Sequence, residues 1–400
     1  MGSPISWKTK MAKRITASVK PALLIWARES VRLSLDEAAR KTKFSVEVIA
    51  AWEAGDAAPS IPQLRKLGEV YKRPLAVFFL SAPPQGFDAQ KEFRRLAGVR
   101  PGKESPELML AIRNAAFHRE AALQLMEDLG EQPQVIDFQL HPSDPPEEAA
   151  NRVRQHLGVP WEIQVEWSSP HAALAGWRQA IENQGAFIFQ TGKVSLGEIR
   201  GTCMPDQPMP LIILNSKDAP HGRIFSLLHE YLHILLHNGG HQTSRMVGKR
   251  SPEEQPLEVT ANAVAAATLL PRMQFLEVVS KYPRAARGDD QQLRLLAQRV
   301  KVSPEVVLRR LVTLGKVTKN TYQQKRKEWG ETIWYVKANT GGAVPQPTKI
   351  LANEGRSFAR LVLTAFDRRL ITTSTASDYL GAKPIHFNSI RRELGPARAK

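Results

Sequence analysis

His229-Glu230-Tyr231-Leu232-His233 stands inside the apolar run IFSLLHEYLHILLH. On an α-helix, residues i and i+4 share a face, so both imidazoles can bind one divalent ion at about 2.0–2.1 Å. Glu230 follows the first histidine about 100° around the helix, within reach of a water at an open coordination position. Three protein ligands plus one open position is the arrangement of a catalytic zinc site, distinct from a closed structural one. Such a site, with one zinc ion per chain, acidifies the water and polarises a peptide carbonyl. Glu230 then takes up and delivers the proton. The competing reading is a buried helix with ordinarily satisfied histidines. Composition weighs against it, because five of the ten histidines (His221, His229, His233, His237, His241) lie within 21 residues. Two imidazoles and an acid are costly in an apolar helix without partners.

The third ligand must come from elsewhere. Leu236 and Gly239 occupy the positions at which an extended HxxGxxH pattern would continue. Glu258 is the better candidate, since it opens a segment of small residues, Leu257-Glu258-Val259-Thr260-Ala261-Asn262-Ala263, able to pack closely on the HExxH helix. An acid at a helix start is also favourable to the macrodipole alone, so that reading stays open. His237, one turn beyond His233, is the fallback ligand or a group supporting the ligands, and Tyr231 and Asn262 are further candidates for that supporting role. His221 and His241 read as surface or loop residues.

The elements that must position these groups are mostly helical. Residues 22–75 show short helices without strand alternation. Ser34 with Glu37 forms a capping-box pattern, Thr42-Lys43-Phe44 a tight turn, and Ser45 the N-cap of a helix carrying Val48, Ile49 and Trp52. Pro83-Pro84-Gln85-Gly86 marks a module boundary. An amphipathic helix is predicted over 105–129, strands over 186–190 and 210–215, and helices over 226–237, 257–270 and 291–313. A Gly/Pro-containing linker at 339–347 precedes a helical segment, 350–394.

The chain has 400 residues, 42% hydrophobic and 24% charged, ample for two or three domains and too apolar for a disordered chain. No stretch approaches the roughly 18–20 apolar residues of a bilayer span. The basic N-terminus lacks an apolar signal core, and the single cysteine, Cys203, permits no internal disulfide. The simplest compartment is a reducing cytoplasm. Net charge is +17, distributed as +7 over residues 1–75, −5 over 76–280 and +15 over 281–400. Such asymmetry fits a nucleic-acid surface or plain solvated helix faces, and charge alone does not choose.

Residues 171–315 resemble the ImmA/IrrE family of zinc-dependent peptidases. The resemblance rests on Arg200-Gly201, the strand ending at Asn215, Arg223 with Phe225, HEYLH, Glu258-Val259-Thr260-Ala261-Asn262 and Leu269-Leu270-Pro271. It implies His229, His233 and Glu258 as metal ligands and Glu230 as general base. Leu232 and Val264 depart from the family pattern, where a small residue and an aromatic are usual; both positions concern packing. The stretch LAQRVKVSPEVVLRRL resembles the family's downstream helices. Residues 22–75, with Trp52-Glu53-Ala54-Gly55 and Pro59, resemble an XRE-type helix-turn-helix. The implied fold is mainly α with a small β-sheet (α+β). Its parts are a basic extension (1–21), a helix-turn-helix bundle (22–82), a connecting helical region (83–165), a zincin-like metallopeptidase domain (166–335), a linker (336–348) and a mostly helical basic C-terminal region (349–400).

Base reading normally uses Arg, Lys, Asn or Gln early on the recognition helix. Here that helix offers Val46, Glu47, Val48, Ala50 and Ala51, and Leu35 stands where the XRE pattern usually has glutamine. Lys41 and Lys43 can contact phosphates without specifying sequence. The module is therefore expected to bind DNA weakly and non-specifically, to form a homodimer, or to dock a substrate of its own fold. Lys325-Arg326-Lys327 adds either salt-sensitive nucleic-acid affinity or only a solvated helix end. The resulting expectation is a cytoplasmic zinc endopeptidase that cuts a protein partner, a helix-turn-helix repressor, in a stress-response, mobile-element or defence circuit. The alternative is a DNA-binding regulator or antitoxin-like module that uses the metal site as a sensor.

Overall fold

The computed structural model describes residues 19–31, 33–73, 75–80, 82–83, 105–238, 254–331 and 344–395. His241, Pro84-Gln85-Gly86, the N-terminal extension up to residue 18 and most of the 336–348 linker lie outside them. The chain divides into two compact units, residues 1–89 with 104–110, and residues 90–103 with 111–400.

The first unit contains α1 (Pro21–Glu29), α2 (Leu35–Thr42), α3 (Val46–Ala54), α4 (Ile61–Tyr71) and a 3-10 turn (Leu75–Phe79). Ser34 and Glu37 form the expected reciprocal cap of α2, and Ser45 caps α3. Lys43 ends α2 in the left-handed conformation at φ 60°, which turns the chain into α3. Trp52 is buried with Ile49, Leu64 and Leu67, its ring edge-on to Phe44 at 5.2 Å. Glu53 receives both Nε and Nη2 of Arg28, at 2.8 and 2.9 Å, tying α3 to α1. The Trp-Glu pair of the helix-turn-helix pattern thus has two structural duties, one in the core and one in a bidentate ion pair.

The second unit is built around three strands: β1 (Phe187–Thr191), β2 (Gly201–Met204) and β3 (Leu211–Asn215), in the order β1-β3-β2. β1 runs parallel to β3, with Ile188 opposite Ile212, and β2 runs antiparallel to it, with Cys203 opposite Ile212. The predicted strands correspond to β1 and β3; β2 was not foreseen as a strand. Chain order brings in α5 (Pro106–Leu129), α6 (Pro146–Leu157), α7 (Trp161–Glu166) and α8 (Pro170–Glu182) before the sheet, and α9 (Pro220–Asn238) and α10 (Glu254–Leu269) after it. Then follow α11 (Arg272–Ser280), α12 (Asp290–Val300), α13 (Pro304–Thr313) and α14 (Lys319–Glu331). The helix predicted over 291–313 breaks at Lys301, which adopts φ 61° between α12 and α13.

α9 is apolar almost all round and is buried accordingly, packing against α8, α10 and the sheet. The last carbonyls of a helix have no partner within it. At the end of α10 they are taken by side chains: Arg154 donates to Thr268, Gln164 to Leu269 at 2.9 Å, and Arg310 to Leu270 at 2.9 Å. Gln164 also donates to Val300, at the end of α12, at 2.9 Å. Pro271 follows, unable to continue the helix.

The C-terminal region forms α15 (Gln346–Glu354), α16 (Arg356–Asp367), α17 (Thr373–Leu380) and α18 (Phe387–Leu394), within the same compact unit as the sheet. α15 packs on β1. The buried Glu182 carboxylate accepts from the backbone N–H and hydroxyl of Ser357, while Arg178 donates to Ala352 and Ile188. Phe358 stacks on His118 of α5 at 4.8 Å.

Candidate metal centre

α9 presents His229 and His233 one turn apart, and α10 presents Glu258 to both. The two Nε2 atoms are 3.1 Å apart; Glu258 Oε2 lies 3.6 Å from His229 Nε2 and Oε1 3.3 Å from His233 Nε2. One ligand atom from each residue falls within 4.8 Å of the others. Donors on a tetrahedral ion with bonds of about 2.0–2.1 Å stand about 3.3–3.4 Å apart, so side chains this close are placed to share one ion, with either carboxylate oxygen as the third donor. The donor set, two imidazoles and a carboxylate, suits zinc chemically. His233 Nδ1 is buried without a hydrogen-bond partner, while its Nε2 faces His229 and Glu258. His233 is buried; His229 and Glu258 are half-buried, so the cluster opens to solvent on their side.

The small residues of α10 permit this approach. Ala261, Val264 and Ala265 are buried against the α9 core, and the family departures Leu232 and Val264 are both buried packing positions. Asn262 donates its side-chain amide to the Glu258 carbonyl at 2.7 Å.

Glu230 is 4% exposed and lies beneath β2. A Cβ added at Gly201 would stand 3.2 Å from Glu230 Cγ, so strand and carboxylate are in close contact. Burial pushes this carboxyl up to about 7, helped by the Glu258 charge and opposed by His233 and by a hydrogen bond with Cys203. Burial disfavours charge on His233, but the hydrogen bond to Glu258 and the charge of Glu230 leave its imidazole above the ordinary value. A carboxyl held near neutrality suits a group that both accepts and returns a proton.

Residues 189–312 match the model of the IrrE N-terminal-like peptidase domain, family M78, and residues 24–78 match a helix-turn-helix model. The chain carries an IrrE-like peptidase domain and a helix-turn-helix. No curated protein matches the chain. The IrrE-like segment runs from β1 to the end of α13 and includes all three ligand candidates and Glu230. These matches are the combination read from the sequence, a metallopeptidase of the ImmA/IrrE type with a DNA-binding type of module.

The other sequence candidates fall as follows. Tyr231 is fully buried and its hydroxyl meets His156 Nε2 at 2.8 Å, not the ligand cluster. Two residues on from His229 is about 200° around the helix, which places Tyr231 on the far face. His237 lies in the last turn of α9, outside the cluster. His221, expected on the surface or in a loop, is in the first turn of α9 and half-buried, and burial lowers its imidazole below the ordinary value. Lys41 and Lys43 are exposed at the α2–α3 turn; on α3, Glu47 and Val48 are exposed, while Ala50 and Ala51 are half-buried. Sequence reasoning missed Cys203 as a neighbour of Glu230; its place on an edge strand opposite the sheet core was the only signal, and β2 itself was not recognised.

Among the described residues no helix is long and apolar enough to cross a membrane.

Proposed function

We propose that the protein is a zinc-dependent endopeptidase, with His229, His233 and Glu258 as ligands and Glu230 as general base. The observation that carries this reading is the convergence of three ligand atoms from two helices beside a buried carboxyl of raised pKa. A bound zinc ion supplies Lewis acidity, polarising the scissile carbonyl. Glu230 accepts the proton of the attacking water and delivers it to the departing amide nitrogen. β2 stands at an edge of the sheet, directly over Glu230, and an extended peptide adding to that edge brings its backbone to the base. The substrate is a protein segment able to become extended.

The substrate we favour is a helix-turn-helix repressor, cut in a reducing cytoplasm as part of a stress, mobile-element or defence response. The exposed α3 residues Glu47 and Val48 offer poor base-reading chemistry, which suits a module that docks or pairs with its own fold. A second reading, a DNA-binding regulator with a metal sensor, is favoured by the helix-turn-helix match.

Two measurements test these readings. Elemental analysis is expected to give about one zinc per chain, absent from His233→Ala and Glu258→Ala. Mass spectrometry of a digested peptide library is expected to show internal cleavages by the wild type and none by Glu230→Gln. Zinc without any cleavage, combined with sequence-specific retardation of the upstream DNA at about 0.15 M salt, would instead establish the regulator.

A further inference from the structure

α13 and α14 enclose an open groove of about 650 Å³, lined by Arg309, Lys319, Tyr322, Gln323, Arg326 and Lys327 among others. We propose that this groove binds the phosphodiester backbone of a nucleic acid. It lies outside the metal centre and does not rest on the peptidase reading.

The run Lys325-Arg326-Lys327 separates into two roles. Lys325 is neutralised by Asp290 at 3.1 Å and Glu328 at 3.0 Å. Arg326 and Lys327 instead turn into the groove, where they meet Lys319 from the start of α14 and Arg309 from α13. All four are exposed. Among the described side chains, Arg309 and Lys319 have no carboxylate within ion-pair distance. Arg326 has one, Glu305 at 3.5 Å, an exposed pair that contributes little. The same glutamate accepts from the Tyr322 hydroxyl at 3.3 Å.

The α14 contributors, Lys319, Tyr322, Gln323, Arg326 and Lys327, follow helical i, i+3, i+4, i+7, i+8 spacing. They form one stripe about 12 Å long. Along a duplex axis each strand carries a phosphate every 3.4 Å or so, so the stripe spans at most about three of them. Cations spread along an open groove suit a polymer of regular charge better than a single small anion, which needs a closed cradle. Guanidinium groups bind phosphate bidentately, and Tyr322 with Gln323 offers a ring and an amide to the sugar or base edge. An acidic peptide could use the same cations but lacks that regular charge spacing.

Fluorescence polarisation of the full chain tests this, with a short labelled duplex of arbitrary sequence and the matching single strand, from about 0.05 to about 0.2 M salt. The double variant Arg309→Ala/Arg326→Ala is expected to lower the salt slope by about 1.8 on the duplex, near 0.9 for each lost phosphate contact, or by about 1.4 on the single strand, near 0.7 for each. The expected thermal midpoint and zinc content are those of the wild type, and Arg309→Lys/Arg326→Lys is expected to keep most of the slope. Lys349→Ala/Lys383→Ala, which removes the same charge from exposed sites elsewhere, should leave the slope unchanged. A slope untouched by the groove variant would assign all nucleic-acid affinity to the helix-turn-helix and overturn the proposal. An equal fall in the Lys349/Lys383 variant would reduce the effect to bulk charge and overturn it too. Binding of polyglutamate with no binding of either nucleic acid would give the groove to an acidic peptide.

Discussion

Asn262 Nδ2 donates to the backbone carbonyl of Glu258 at 2.7 Å, one turn back along the same helix. The residue that supplies the carboxylate is therefore held by a side chain as well as by its own helical hydrogen bonds. This gives a physical reason for Glu258 and Asn262 to stand four apart. Asn262→Ala removes that support while improving helix propensity by up to about 0.7 kcal/mol. The lost hydrogen bond is worth about the same. Thermal stability of the metal-free protein should barely change, while zinc affinity falls by about tenfold, within the range for groups that orient a ligand. Competition with a chelating dye measures the affinity, and scanning calorimetry the stability.

Glu230 and the ligands should separate cleanly. Glu230→Gln keeps the side-chain shape and removes the proton acceptor, so cleavage should fall at least about a hundredfold with zinc retained. Zinc at about 100 times its dissociation constant should stabilise wild type and Glu230→Gln alike, by about 2.7 kcal/mol. His233→Ala should show no such gain. Thermal scans with and without zinc provide the comparison.

Gly201 is the point at which the edge strand meets Glu230, the proposed base. A methyl group there would stand 3.2 Å from Glu230 Cγ and 3.3 Å from Ser226 Cβ, so β2 or Glu230 must give way by a few tenths of an ångström. Gly201→Ala is expected to lower kcat by about tenfold, since misplacement of a base on that scale is costly. Its zinc content should stay at the wild-type level, and a fall in zinc would mean that the strain reaches the ligands instead.

Gln164 is fully buried, and its amide bridges the carbonyls of Leu269 and Val300 while its oxygen accepts from Arg154 at 2.8 Å. Gln164→Leu strands these groups in the core. Each unsatisfied buried group costs about 1–3 kcal/mol, so the variant should lose about 3 kcal/mol or more in urea unfolding. A loss under about 1 kcal/mol would imply that water or a rearranged Arg154 replaces the amide.

The paired histidines and the acid between them were legible as a candidate site because helical spacing by itself puts positions 229 and 233 on one face. Glu258 needed more: its own signal was an acid at an expected helix start among small residues, although the helix begins at Glu254, and only the family resemblance made it the favoured ligand candidate. β2 was illegible because four residues, one of them glycine, carry no alternation, and the strand exists through its pairing with β3. The Gln164, Arg154 and Arg310 caps were illegible for another reason: each joins segments roughly forty to more than a hundred residues apart, and a polar residue in a short helix gives no hint that it is buried. Tyr231 shows the reverse error, sequence adjacency to a ligand taken for spatial adjacency, when helical rotation carries it to His156.

The peptidase-family match ends at residue 312, well short of the helices that lie on β1. In β1 the Phe187 N–H is turned to Pro210 on the β3 side, so the Ile188 carbonyl points outward. Arg178 takes that carbonyl at 2.9 Å, and Gly355 sits so close that a Cβ would lie 2.8 Å from the oxygen. Arg178 of α8 and the C-terminal segment at Gly355 thus together cover a strand edge that would otherwise act as a template for a second copy. A chain ending at residue 312 would keep the proposed ligands and base but lose the Gly355 side of that cover, and is expected to self-associate edge to edge more than the full chain.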